Sequence, residues 1–192
     1  TEVDYYGGYK NSFGSSDFTY DIGAIAYTYP GKGNAIPGTN VNPNTNEVYG
    51  ALGYKWVTVK YSRVVSDGFI GWLGNNGNTS TRGSDYLELN AAYELGNGWG
   101  LSGHYGHQKV KNVNAVAATA SPSYNDWNFG VTKDLGFGVV GLTYSATDAS
   151  GSCGNPLPAA NASAYCWGTN RGTTGFKDVA KDTLVLSFKK TF

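Results

Sequence analysis

The 192 residues carry 14 Lys and Arg against 14 Asp and Glu, so the formal net charge is zero and no excess of cations points to nucleic acid. Gly (28), Tyr (15), Phe (8) and Trp (5) are abundant and charged residues make up only 15%, a mixture that favours strands and turns over helices. No run of about 18 apolar residues occurs, which excludes a transmembrane helix but not a membrane β-barrel, whose strands show only about ten alternating residues each.

Read by parity, the chain shows nine alternating segments, and the length suits one domain. Around 2–10, Val3, Tyr5 and Tyr9 oppose Glu2, Asp4 and Lys10; around 17–29, Phe18, Tyr20, Ile22, Ala24 and Ala26 oppose Thr19, Asp21, Gly23 and Tyr27. Around 46–55, Val48, Leu52 and Tyr54 oppose Glu47, Tyr49 and Ala51; around 56–65, Val57, Val59 and Tyr61 oppose Thr58, Lys60 and Ser62. The cleanest segment, 84–95, sets Leu87, Leu89, Ala91, Tyr93 and Leu95 against Glu88, Asn90, Ala92 and Glu94. Around 99–109, Trp99, Leu101 and Tyr105 oppose Ser102, His104 and Gln108; around 124–134, Trp127, Phe129 and Val131 oppose Asp126, Asn128 and Thr132. Around 137–147, Val140, Leu142, Tyr144 and Ala146 oppose Gly141, Thr143 and Ser145. The closing segment sets Leu184, Leu186, Phe188 and Phe192 against Thr183, Val185, Ser187, Lys189 and Thr191, with Lys190 in an apolar slot where it can snorkel.

The connections alternate short (Asn11–Ser16, Lys55, Gly96–Gly98, Asp134–Gly136) and long (Pro30–Thr45, Ser66–Gly83, Val110–Ser123, Asp148–Ala180). Outer-membrane barrels have this rhythm of short periplasmic turns and longer outer loops, whereas soluble meanders have no reason to keep it. Aromatics on the apolar parity fall near segment ends: Tyr54, Tyr93, Trp99 and Phe192 by the short turns, and Tyr61, Tyr105, Trp127 and Tyr144 towards the long loops. Two interfacial girdles would be built this way. An all-β, antiparallel, up-and-down transmembrane barrel is therefore expected, with Phe192 at the periplasmic end. That orientation places Thr1 at the outer surface, so an odd number of strands is expected before it. The lack of any Met fits a chain without its initiator or export leader.

The opposite parity would line the interior through Asp4, Asp21, Glu47, Lys60, Glu88, Asn90, Glu94, Ser102, His104, Gln108, Asp126, Asn128 and Lys189. Carboxylates outnumber lysines there, which predicts a weak preference for cations if the lumen is open; if these groups pair across it, the barrel is filled. Arg63 lies on the apolar parity, to snorkel to a lipid phosphate or to turn inward at a bulge after Ser62. Enzyme chemistry finds little support. Glu88 and Glu94 share a face but lie roughly 20 Å apart at about 3.3 Å per residue, too far for the about 5–9.5 Å of a glycosidase pair. His104 and His107 point to opposite faces and cannot chelate one metal, and no cofactor is implied. Cys153 and Cys166 sit in one Gly/Pro/Asn/Ala-rich loop; in an oxidising compartment they would pair, with a loop of about 13 residues giving roughly 3 kcal/mol, and in a cytosol they would be two free thiols. Asn78-Thr79-Ser80 and Asn161-Ala162-Ser163 match a glycan acceptor by coincidence in such a protein.

The runs Glu2-Val3-Asp4-Tyr5-Tyr6-Gly7-Gly8-Tyr9, Tyr86-Leu87-Glu88-Leu89-Asn90-Ala91, Gly103-His104-Tyr105-Gly106-His107-Gln108, Asp126-Trp127-Asn128-Phe129-Gly130-Val131-Thr132-Lys133-Asp134-Leu135-Gly136 and the ending Ser187-Phe188-Lys189-Lys190-Thr191-Phe192 carry a family likeness. Through them nearly the whole chain outside the long loops resembles the TorF-family porins, small outer-membrane proteins of proteobacteria. The resemblance implies a further N-terminal stretch of about three strands, for about twelve in all. It implies a porin-like channel for passive diffusion of small hydrophilic solutes or ions, in contact with outer-membrane lipids. A non-conducting surface barrel, whose long outer loops mediate binding or assembly into an oligomer or array, is the alternative. A soluble β-jelly-roll glycosidase of similar length and Tyr/Gly/Asn-rich composition is a third.

Overall fold

A computed structural model describes residues 1–30, 43–70, 80–112, 122–149, 165–168 and 176–191. The described chain is all-β. Eleven strands run in chain order as β1 (Val3–Ser12), β2 (Phe18–Thr28), β3 (Thr45–Tyr54), β4 (Val57–Val64), β5 (Asp85–Gly96), β6 (Trp99–Lys109), β7 (Tyr124–Asp134), β8 (Val139–Thr147), β9 (Cys166–Gly168), β10 (Phe176–Asp178) and β11 (Thr183–Lys189). Nine of them form one antiparallel sheet in the order β1-β2-β3-β4-β5-β6-β7-β8-β11, every strand beside its neighbour in sequence except where β11 follows β8. All nine alternating segments are strands of this sheet. The short antiparallel pair β9–β10, inside the last long connection, had no period-two signature, because three residues are too few to display one.

Residues with positive φ make the short turns. Lys55 (φ 52°) closes β3–β4, Gly96, Asn97 and Gly98 (φ 87°, 51° and 75°) close β5–β6, and Gly136 (φ 84°) closes β7–β8, its amide donating to Asp134 Oδ1 at 2.7 Å. Such conformations twist a tight loop to match its strands and favour Gly and Asn. The register then runs unbroken from β1 to β11 apart from one shift between Glu94 and Gly96. Arg63 pairs with Val48 and Asp85 without any bulge after Ser62, so it keeps the apolar parity and is exposed.

An unbroken register sorts side chains onto two faces. One carries Ile22, Leu52, Val59, Leu87, Leu89, Phe129, Leu142, Leu184, Leu186 and Phe188, all more than 40% exposed. The other carries Asp21, Tyr49, Lys60, Glu88, His104, Asp126 and Asn128. Among the described residues the buried apolar core is only Val64, Phe69 and Ala146. Most of it lies at the long-loop end, where the β4–β5 connection folds back: Phe69 N donates to Thr81 Oγ1 (3.0 Å) and Ile70 N to Thr45 Oγ1 (2.7 Å). The sheet is open. Its edges β1 and β11 are exposed along their whole length.

Candidate functional site: the polar face

Side chains from every strand between β1 and β7 line one cavity of about 620 Å³, among them Tyr6, Tyr27, Tyr49, Lys60, Glu88 and Tyr124. The polar face is therefore concave, with the cavity before it. Phe69 and Ile70 of the folded-back connection line the same space at the long-loop end.

Along this wall the polar groups bind their neighbours on adjacent strands. At the centre His104, with a side chain 14% exposed, holds both ring nitrogens in contacts: Nδ1 with Asn90 Oδ1 at 2.7 Å, and Nε2 with Asp126 Oδ1 at 2.9 Å. Tyr86 Oη donates to Asp126 Oδ2 (2.9 Å) and lies 3.0 Å from His104 Nε2. Asn90 Nδ2 donates to Glu88 Oε2 at 2.8 Å, and Lys60 Nζ lies 3.5 Å from Glu88 Oε1. Four strands, β4 to β7, are joined in this way. The carboxylates and both imidazole nitrogens of His104 are thus tied into one hydrogen-bonded network.

Tyrosines reach across glycines to complete it. Tyr86 stands on β5 and Asp126 on β7, so the phenol must cross β6; it does so over Gly106, where a Cβ would meet Tyr86 Oη and lie 2.7 Å from Asp126 Oδ2. Likewise the Tyr49 ring lies across Gly23 and Gly8, whose Cβ atoms would stand 2.6 and 2.9 Å from its hydroxyl, and its Oη donates to Asp21 Oδ1 at 3.1 Å. Glycine is needed at these positions because the ring occupies the place of a side chain.

Every residue expected inside (Asp4, Asp21, Glu47, Lys60, Glu88, Asn90, Glu94, Ser102, His104, Gln108, Asp126, Asn128 and Lys189) falls on the polar face. The register brings Glu88, Asn90, His104, Asp126 and Lys60 into one network, whereas Glu94 and Ser102 lie towards the short turns and Lys189 on the β11 edge. Tyr86, Gly106 and Phe69 were not singled out in the sequence. Tyr86 shares parity with Glu88 and could have been found by it, but the fold-back of Phe69 leaves no periodic trace.

On the apolar face, Tyr54, Tyr61, Tyr93, Trp99, Tyr105, Trp127 and Tyr144 are exposed as expected, while Phe192, Cys153 and the Cys166 side chain lie outside the described residues. Polar groups gather at its long-loop margin: His107 Nδ1 lies 2.8 Å from Asn125 Oδ1, and Asn125 donates its side-chain and backbone N–H groups to Asp148, each at 2.6 Å. Those bonds hold the Asp148 carboxyl below its ordinary value. Beyond β2, burial and a hydrogen bond to Glu2 push Tyr29 up to about 12. Burial also raises Tyr165, which donates to Pro122 O and stands edge-on to Tyr124, ring centres 5.5 Å apart. His104 and His107 face opposite ways, and among the described residues no group of three or more His, Cys, Asp or Glu side chains is placed to hold a metal.

Comparison with curated proteins and with solved structures finds no match. The model of one protein family, described as a bacterial protein of unknown function (Gcw_chp), matches residues 1–192, and the chain belongs to that bacterial family.

Proposed function

We propose that the nine-stranded sheet is the wall of a bacterial outer-membrane β-barrel that acts as a passive channel for small hydrophilic solutes or ions, weakly preferring cations. One observation carries the reading: the unbroken register leaves a continuous apolar face uncovered and sets against it a concave polar face with a hydrogen-bonded network at its centre. In water such an apolar area would drive association, since soluble monomers rarely expose contiguous apolar patches beyond a few hundred Å². In lipid it is what the outer wall of a barrel requires. Strands of 10 to 12 residues, among them β2, β5, β6 and β7, have the length needed. At about 3.3 Å per residue and a tilt of roughly 40°, eleven residues rise through about 28 Å.

A sheet edge in hydrocarbon would leave unpaired backbone groups at several kcal/mol each. The membrane reading therefore requires that both edges of the sheet, β1 and β11, be paired in the folded barrel. An open lumen is favoured because the ion pair and the polar network described above bind neighbouring strands along the wall instead of reaching across the cavity. Planar-bilayer recording tests this. Pure refolded protein should give discrete conductance steps, with a reversal potential shifted towards cations in a salt gradient; membranes that stay silent would refute the channel.

Tyr165 favours a second reading, because its contacts with Pro122 and Tyr124 anchor the β9–β10 pair to the long-loop end and offer a built outer surface. In that case deleting 148–180 should abolish a binding or assembly phenotype while the sheet still folds.

A further inference from the structure

Lys60 shows what the cavity does with an ammonium group. Its Nζ lies 4.9 Å from the centre of the Tyr49 ring and 3.5 Å from Glu88 Oε1, so one tethered cation already sits between an aromatic face and a carboxylate. That pairing is the usual recognition chemistry for organic ammonium groups. The rest of the cavity repeats it without a resident cation. Three carboxylates of the polar face line it (Glu2, Glu47 and Glu88), and among the described residues Lys60 is the only Lys or Arg that lines it. Among the described residues neither Glu2 nor Glu47 has a cation within 4.0 Å, and Glu47 is half-buried. Six tyrosines stand in the same wall; Tyr27 pairs with Thr45, which places it diagonally beside Glu47 on the polar face.

We propose that this cavity is a binding site for small organic cations bearing primary or quaternary ammonium groups, held between tyrosine faces and the Glu47 and Glu2 carboxylates, with Lys60 as a built-in competitor at Glu88. The proposal rests on the channel reading for its role in passage and names the solute class that such a channel would favour. Binding itself can be measured without conduction. A neutral saccharide could stack on the same rings and donate hydroxyls to the carboxylates, but it would leave their charge unbalanced, so the charge balance favours the amine.

Isothermal titration of the refolded, detergent-solubilised protein with 1,5-diaminopentane, its neutral analogue 1,5-pentanediol and arabinose tests this, in the wild type and in two variants. The diamine alone should bind. Glu47→Gln should weaken it by about tenfold, and Lys60→Gln should tighten it several-fold by vacating Tyr49 and Glu88. Equal binding of the diol or the sugar, or no diamine binding by the wild-type protein, overturns the proposal. So does an unchanged affinity in both variants. Diamine binding without bilayer conductance would leave the site standing and sink the channel. Conductance that is neither blocked nor accompanied by diamine binding would do the reverse.

Discussion

Gly106 is the residue on which the polar network turns. A methyl group there would displace the Tyr86 phenol from Asp126, leaving a half-buried carboxylate with one hydrogen bond fewer. Gly106→Ala is expected to cost about 1–3 kcal/mol, the range of an overpacked site or an unsatisfied polar group. Removing the ring as well, in Tyr86→Ala/Gly106→Ala, should cost less than the sum of the two single changes, because they act on one contact. Thermal unfolding in detergent reads both. At the long-loop margin, Asp148 makes the pH dependence definite. Its folded carboxyl lies below the ordinary 3.8, so the native state binds fewer protons there than the unfolded chain. Its stabilising contribution is complete above that value and is lost as pH falls through the lowered one. The difference in Tm between the wild type and Asp148→Asn should therefore stay constant from neutral pH down to about 4 and shrink below it.

At the scale of the strand, parity was legible and closure was not. A sequence with period two states which residues share a face, and all nine segments of the sheet followed from it; that Lys60 stands opposite Glu88 did not, because pairing depends on register. What the residues at 166–168 and 176–178 do depends on contacts made by Tyr165 with a distant strand, and the fold-back of Phe69 depends on Thr81; neither leaves a local pattern. The polar network was half legible. His104, Asn90 and Asp126 share a parity that the sequence displays, but their meeting needs the exact stagger of β5, β6 and β7, of which the Gly96-Asn97-Gly98 turn joins only the first two. Mid-strand Leu89, 47% exposed on the apolar face, separates the membrane from the aqueous reading. Leu89→Arg should destabilise a protein folded in lipid by about 2–4 kcal/mol if the position is near the midplane. A sheet standing in water would tolerate it within about 0.5 kcal/mol. Denaturant unfolding in lipid vesicles distinguishes the two.

For the molecule as a whole, the distribution of burial is the reverse of a soluble domain's. Among the described residues, apolar side chains stand exposed on one face, polar side chains line the concave one, and the few buried apolar groups sit at the long-loop rim. The protein is therefore expected to aggregate from denaturant into plain buffer and to fold when detergent or lipid is supplied, which circular dichroism and light scattering would follow together. Acidic groups dominate the concave face, so Glu47→Gln with Glu88→Gln should lower the cation preference read from the reversal potential without closing the channel. Loss of all conductance in that variant would instead assign the two carboxylates a structural role.

The Tyr49 ring across Gly23 and Gly8 carries a consequence for how the chain finds its arrangement. Three strands must arrive with one tyrosine and two glycines in a single row before the ring can lie flat. A two-residue slip of β1 would keep its polar parity but bring Tyr6 or Lys10 under the ring in place of Gly8. The crossing thus penalises by steric conflict register errors that the alternation of faces alone would tolerate.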